Sequence, residues 1–164
     1  MHLSTRGRYA IMAMLDLAQM SEGSARPVTL AQIAERQQIS LSYLEQLFAK
    51  LRKNGVVDSV RGPGGGYQIA KPLTLVRLAD IVNAVDENVD VTRCGSMNDP
   101  NGPTPGQGCV HGNKCNAHDL WGALSRHIDQ FLQRVNLKMV LDGEVDYGFS
   151  LMQDMAHMRI QITN

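Results

Sequence analysis

The sequence predicts a mainly α fold: a winged helix-turn-helix (helices plus a two-stranded β-hairpin wing) with a long C-terminal dimerisation helix. Three observations carry that prediction. TLAQIAER and LSYLEQLFAKLRKN both have helical apolar spacing, and only a short turn around QQIS separates them. VVDSV and YQIA are strand-like and flank the glycine-rich RGPGGG. His118 to Asn136 then repeats apolar residues at helical spacing, after a loop-like stretch containing Pro100, Pro103 and Pro105.

The first helix starts near Ser4 or Thr5, either of which is a good N-cap. Ile11, Met14, Leu15 and Ala18 form its apolar stripe, and it ends near Ser21–Gly23. Thr29 caps a short helix through Arg36, with Leu30, Ile33 and Ala34 facing inward. Ser40 caps the next helix, residues 41 to about 54, with Leu44, Leu47, Phe48 and Leu51 inward. Asn54-Gly55 stops it. The hairpin follows, with Arg61 at its tip, and LTLVRLADIVNAVDE reads as one further helix. In the long helix, Leu120, Leu124, Ile128, Phe131 and Val135 recur every three or four residues, and Trp121 and Leu132 widen the stripe. Little sequence remains to cover that face, so it predicts a homodimer seam; packing on the chain's own winged domain is the alternative. The expected division is 1–85 winged helix-turn-helix, 86–118 metal-binding loop, 119–136 dimerisation helix and 137–164 a tail of open role, with a short helix possible only around Leu151–Met158.

A 43% apolar composition is enough for a folded core. No apolar run approaches the ~20 residues that span a bilayer, so no membrane association is expected. The basic, then apolar, N-terminus superficially resembles a signal peptide. Arg8 and Asp16 bracket a run of helical period, which predicts a folded helix of a cytoplasmic protein. The zero net charge hides an asymmetry: residues 1–72 carry 9 Lys+Arg against 5 Asp+Glu, while residues 73–136 carry 5 against 7. A basic front half is what an anionic partner selects.

Double-stranded DNA is the partner the motif implies, because the second helix of a helix-turn-helix enters the major groove N-terminus first. Ser42, Tyr43, Glu45 and Gln46 are the residues so presented. Gln pairs bidentately with adenine, Ser donates or accepts, and Glu accepts from the cytosine amine. Lys50, Arg52 and Lys53 suit phosphates, which fix position rather than sequence. Arg61 suits a narrow minor groove. Arg6 and Arg8 are candidate backbone contacts. An ordinary solvated polar face is the competing reading for each residue singly; cap, turn, stop and wing occurring in order oppose it for the set. Glu45 repels phosphate, so it should penalise some sequences and permit others. RGPGGGY lacks the Gly-Lys-Ser/Thr ending of a phosphate-binding loop.

Cys94, Cys109, Cys115 and His118 bring three thiols and one imidazole to a single stretch. Cys115 and His118 are three apart at the start of the long helix, and the other two cysteines can close on them from the loop. Zinc accepts three Cys and one His but favours close-spaced pairs on both sides. Iron–sulfur clusters tolerate irregular spacing, and histidine in place of cysteine raises their potential. Spacing alone leaves zinc, a cluster and unpaired thiols open.

GRYAIMAMLDLA, ISLSYLEQLFAKLRKNGVVDSVRGPGGGY and the Cys…Cys-x5-Cys-x2-His series together resemble IscR-type iron–sulfur cluster regulators, bacterial winged-helix dimeric repressors. The resemblance covers about residues 1–136. It implies a 2Fe–2S cluster on Cys94, Cys109, Cys115 and His118, delivered by iron–sulfur cluster donor machinery. It also implies base contacts from Ser42, Glu45 and Gln46, a wing contact from Arg61, and operator half-sites bound by a homodimer that controls cluster-assembly genes. By the same resemblance the holo form represses those genes and the apo form reads a second class of site, with Glu45 the expected discriminator.

Two departures stand out. NDPNGPTPGQG lengthens the Cys94–Cys109 loop, which should weaken rather than abolish ligation, since each doubling of a loop costs about 0.6 kcal/mol. The last 28 residues do not match the family tail. His111, in a glycine-flanked loop, is read as a solvated bystander. Rival readings are a structural-zinc winged-helix repressor and a nitric-oxide or redox-sensing repressor of the same family. In that second type an acidic residue at the start of the first helix is a ligand, where this chain has Arg6-Gly7-Arg8. An enzyme with a reactive thiol is disfavoured, because no cysteine has a general base in a nucleophile-bearing turn.

Overall fold

The first helix, α1 (Thr5–Ser21), is the beam on which the rest is packed. Ala10, Ala13, Met14, Leu17 and Ala18 are its buried apolar side chains, at the three- and four-residue steps of one helical face. That stripe is rotated from the expected one: Met14 and Ala18 are buried, whereas Ile11 and Leu15 are only half-buried. The short alanines are what let neighbouring elements approach closely. The computed structural model describes residues 4–21, 26–87 and 116–145.

The next two helices, α2 (Leu30–Gln37) and α3 (Leu41–Lys53), form the helix-turn-helix. Thr29 builds a capping box at the start of α2. Its hydroxyl accepts from the Gln32 N–H at 3.3 Å, and the Gln32 side chain accepts from the Thr29 N–H at 3.0 Å. The turn is made by Gln38 in the left-handed region, at φ 55°. A side chain there is strained, and its amide donates to Glu35 O at 2.8 Å, which helps hold the turn. Ser40 has the extended backbone of an N-cap, but its hydroxyl makes no cap hydrogen bond. Leu44, Leu47, Phe48 and Leu51 are buried as their spacing predicts.

The angle between α1 and α2 is fixed by a buried carboxylate. Asp16 accepts from Arg36 Nε at 3.0 Å and Nη2 at 2.7 Å, and from Gln37 Nε2 at 3.0 Å. A buried charge survives only when paired this fully.

The wing is β1 (Val57–Val60) paired antiparallel with β2 (Gly66–Ile69), Ser59 opposite Tyr67. Gly62 and Gly64 take positive φ in the connecting turn. Val28 adds a bridge to the outer side of β2, exchanging hydrogen bonds with Tyr67 at 3.0 and 2.8 Å. Gly66 is required there, since a Cβ would lie 2.5 Å from Val28 O.

LTLVRLADIVNAVDE does not form one helix. A 3-10 turn covers Leu73–Leu75, Val76 and Arg77 are extended, and α4 (Leu78–Ala84) follows. The break has a non-local cause. Arg77 bridges Asn136, Leu78 N–H donates to Val135 O at 2.9 Å, and Leu137 N–H donates to Val76 O at 3.0 Å. Asp80 starts α4 by accepting from the Arg77 N–H at 3.0 Å.

The long helix α5 (His118–Arg134) is present as predicted. A further helix, α6 (Leu137–Asp142), is capped by Asn136, whose side chain accepts from Met139 N–H at 3.0 Å. Leu137 is fully buried in the core of the winged domain. The first part of the expected tail is therefore structural. The suggested helix around Leu151–Met158 lies outside the described residues.

Candidate nucleic-acid interface

α3 presents Ser42, Glu45 and Gln46 to solvent on its first two turns, while Leu44, Leu47 and Leu51 face the core. Tyr43 is different: it is half-buried, its ring edge-on to Tyr9 at 6.0 Å, so most of it serves packing. Further along, Lys53 is exposed. Arg52 Nη1 donates to Ser59 Oγ at 3.2 Å and ties α3 to the wing. Arg61 is exposed at the hairpin turn.

On the opposite flank of α3, Lys50 Nζ lies 2.7 Å from Asp86 Oδ2. Arg6 is also partly engaged, its Nη1 3.5 Å from the carbonyls of Val85 and Asp86. Arg8 is exposed on the first turn of α1. Asn54 Nδ2 donates to Lys50 O at 2.9 Å and to Ala84 O at 3.2 Å, joining the end of α3 to the end of α4. Sequence reading missed Asp86 and took Asn54 only as a helix stop. A signal was available: Asp86-Glu87 puts two carboxylates just past a helix C-terminus, where the dipole disfavours them unless cations are near.

His118 is the first residue of α5 and is buried, with 8% of its surface exposed. Cys94, Cys109 and Cys115 lie outside the described residues, as does His111. Among the described residues no three His, Cys, Asp or Glu side chains converge as metal ligands, and no helix is long and apolar enough to cross a membrane.

A capped helix-turn-helix, a hairpin wing tied to its second helix, and cations flanking exposed polar residues define a winged helix-turn-helix DNA-binding regulator. The chain matches the Rrf2 family, described as an iron-dependent transcriptional regulator, over residues 3–143. It belongs to that family: it is a transcriptional regulator and not an enzyme. It is 48% identical over 144 residues to the HTH-type transcriptional regulator IscR of Yersinia pestis, covering 88% of this chain and 81% of that one. Among solved structures it is similar to T. potens IscR, with a TM-score of 0.67, 32% identity and 88% of each chain covered. It is also similar to CymR, the global cysteine regulator of B. subtilis, with a TM-score of 0.66 and 26% identity, over 85% of this chain and 95% of that one.

Proposed function

We propose that this regulator is a cytoplasmic homodimer holding a 2Fe–2S cluster on Cys94, Cys109, Cys115 and His118, and that it controls iron–sulfur cluster assembly genes through operator half-sites in double-stranded DNA. The observation that carries the reading is His118: a buried imidazole on the first turn of α5, three residues after Cys115. The donor set of three thiolates and one imidazole fits such a cluster. The N–H groups at the start of α5 favour the negative charge that thiolates carry. Similarity to IscR proteins at 48% identity supports the same assignment.

When bound, the cluster supplies a redox-active, labile group whose presence is the signal. The protein's own part is to bias the dimer between two DNA-reading states. Ser42, Glu45 and Gln46 then read bases, with Glu45 discriminating between site classes, and cluster donor machinery loads the site. Exposed apolar residues on α5 support the dimer: Leu120 is 62% exposed, Trp121 43% and Phe131 39%.

Anaerobic purification tests the reading. The protein should show visible charge-transfer absorption and about two irons and two sulfides per chain. Stoichiometric zinc without sulfide overturns it. His118→Ala should change the cluster's lability or potential, and His111→Ala should not; the reverse result reassigns the fourth ligand.

A further inference from the structure

An acidic pair, Asp86-Glu87, follows the end of α4, and both carboxylates are held in place. Asp86 takes φ 55°, a left-handed conformation that Asp tolerates, and its carboxylate meets Lys50 Nζ at 2.7 Å. Glu87 accepts from the Ser4 N–H at 2.9 Å and from the Ser4 hydroxyl. The Asp86 carboxyl is held below its ordinary range, first by the hydrogen bond from Lys50 and then by that ammonium's charge, with Arg6 and Lys53 adding attraction. One carboxylate thus sits among three cations that the sequence assigns to DNA phosphates: Arg6, Lys50 and Lys53.

We infer that Asp86 is an internal stand-in for a DNA phosphate: it holds Lys50 in the free protein and must yield it to the DNA backbone when a duplex docks. Lys50 lies one helical turn beyond Gln46 on α3, so an ammonium released from Asp86 remains beside the base-reading residues. Phosphate contacts supply the sequence-independent share of affinity. An anion inside the phosphate track lowers that share for every sequence alike. Discrimination then falls more heavily on Ser42, Glu45 and Gln46. Asp86 is a positioning residue, acting through Lys50 rather than on a base. The inference rests on DNA binding by the winged helix and is independent of what the cysteines hold.

The geometry makes the test clean. Lys50 and Asp86 side chains are 40% and 73% exposed, and exposed ion pairs contribute little to stability. Asn in place of Asp86 keeps the left-handed backbone, so Asp86→Asn should fold like the parent. The probe is a mixed-sequence duplex without operator half-sites, titrated by fluorescence anisotropy across a salt series with full-length protein.

Asp86→Asn should bind several-fold tighter, with a log K against log salt slope close to the parent's, because Lys50 reaches the same phosphate in both complexes. Lys50→Ala should bind no tighter than the parent. In the Lys50→Ala background, adding Asp86→Asn should give only a small part of that tightening, since the remaining pull on Arg6 and Lys53 is weaker. If the full tightening persists without Lys50, Asp86 acts only as a general negative charge and the proposal fails. Unchanged or weaker binding by Asp86→Asn, with unaltered thermal unfolding, also overturns it.

Discussion

Gln46 and Lys53 both lie on the exposed side of α3, yet they do different chemistry. The Gln46 amide carries a donor and an acceptor side by side, matching the adenine edge; Lys53 carries a point charge that any phosphate satisfies. Gln46→Ala should therefore weaken operator binding by about 1–3 kcal/mol and relax preference at one or two base positions. Binding to an unrelated duplex should hardly change. Lys53→Ala should weaken all sequences together and lower the salt slope by about one. Titrating both variants against an operator, its single-base variants and an unrelated duplex separates the two roles. Equal losses for Gln46→Ala on every duplex would make it another backbone contact. Lys50 and Arg52 also carry charge on α3, but each already has a protein partner, Asp86 and Ser59. Among the α3 cations, Lys53 is accordingly the best residue for isolating one phosphate contact.

At the level of elements, Thr29 and Ser40 look alike in sequence, each a hydroxyl before a helical run. Their backbones are alike too, both extended at an N-cap. Only Thr29 has its hydroxyl and its Gln32 partner engaged in a capping box. Thr29→Ala should cost about 1 kcal/mol in urea unfolding, whereas Ser40→Ala should be close to neutral. A loss of similar size at Ser40 would mean that its hydroxyl caps α3 in solution after all. The helix-turn-helix, the hairpin and α5 were legible because each is written in consecutive residues: apolar spacing, a cap, a glycine turn. The break before α4 and the existence of α6 were not, because Val76, Arg77 and Leu78 pair with residues 135–137, far along the chain. The site shows the same split. Exposure of Ser42, Glu45 and Gln46 follows from α3's own pattern. The engagement of Arg6 and Lys50 depends on where α4 ends, which no local pattern states. The proposed ligand series was visible as spacing, but the burial of His118 depends on the seating of α5.

For the whole molecule, the two ends of α5 differ. Leu132 and Val135 are buried in the core of the winged domain, and Ile128 packs against it. Toward the other end Leu120 and Trp121 are exposed, and Phe131 is partly so beside the anchored turn. His118 and Gly122 are buried at that end too, so the helix packs through one face along its length while Leu120 and Trp121 present an apolar patch on another. A second copy of α5 would cover that patch, and His118 at its start would put the proposed cluster beside the seam. Two winged heads so joined can bind paired half-sites about one helical turn apart. The second head then binds as an intramolecular event, which raises affinity by about 10²–10⁴-fold without new contacts. Leu120→Glu combined with Trp121→Ala should give a monomer by sedimentation velocity. Its affinity for paired half-sites should fall by about that factor, while binding to a single half-site stays near that of the parent. Because both side chains are exposed in the single chain, the winged domain should keep its fold by circular dichroism. A variant that remains dimeric would move the seam away from the start of α5, and with it the route from His118 to the second DNA-reading head.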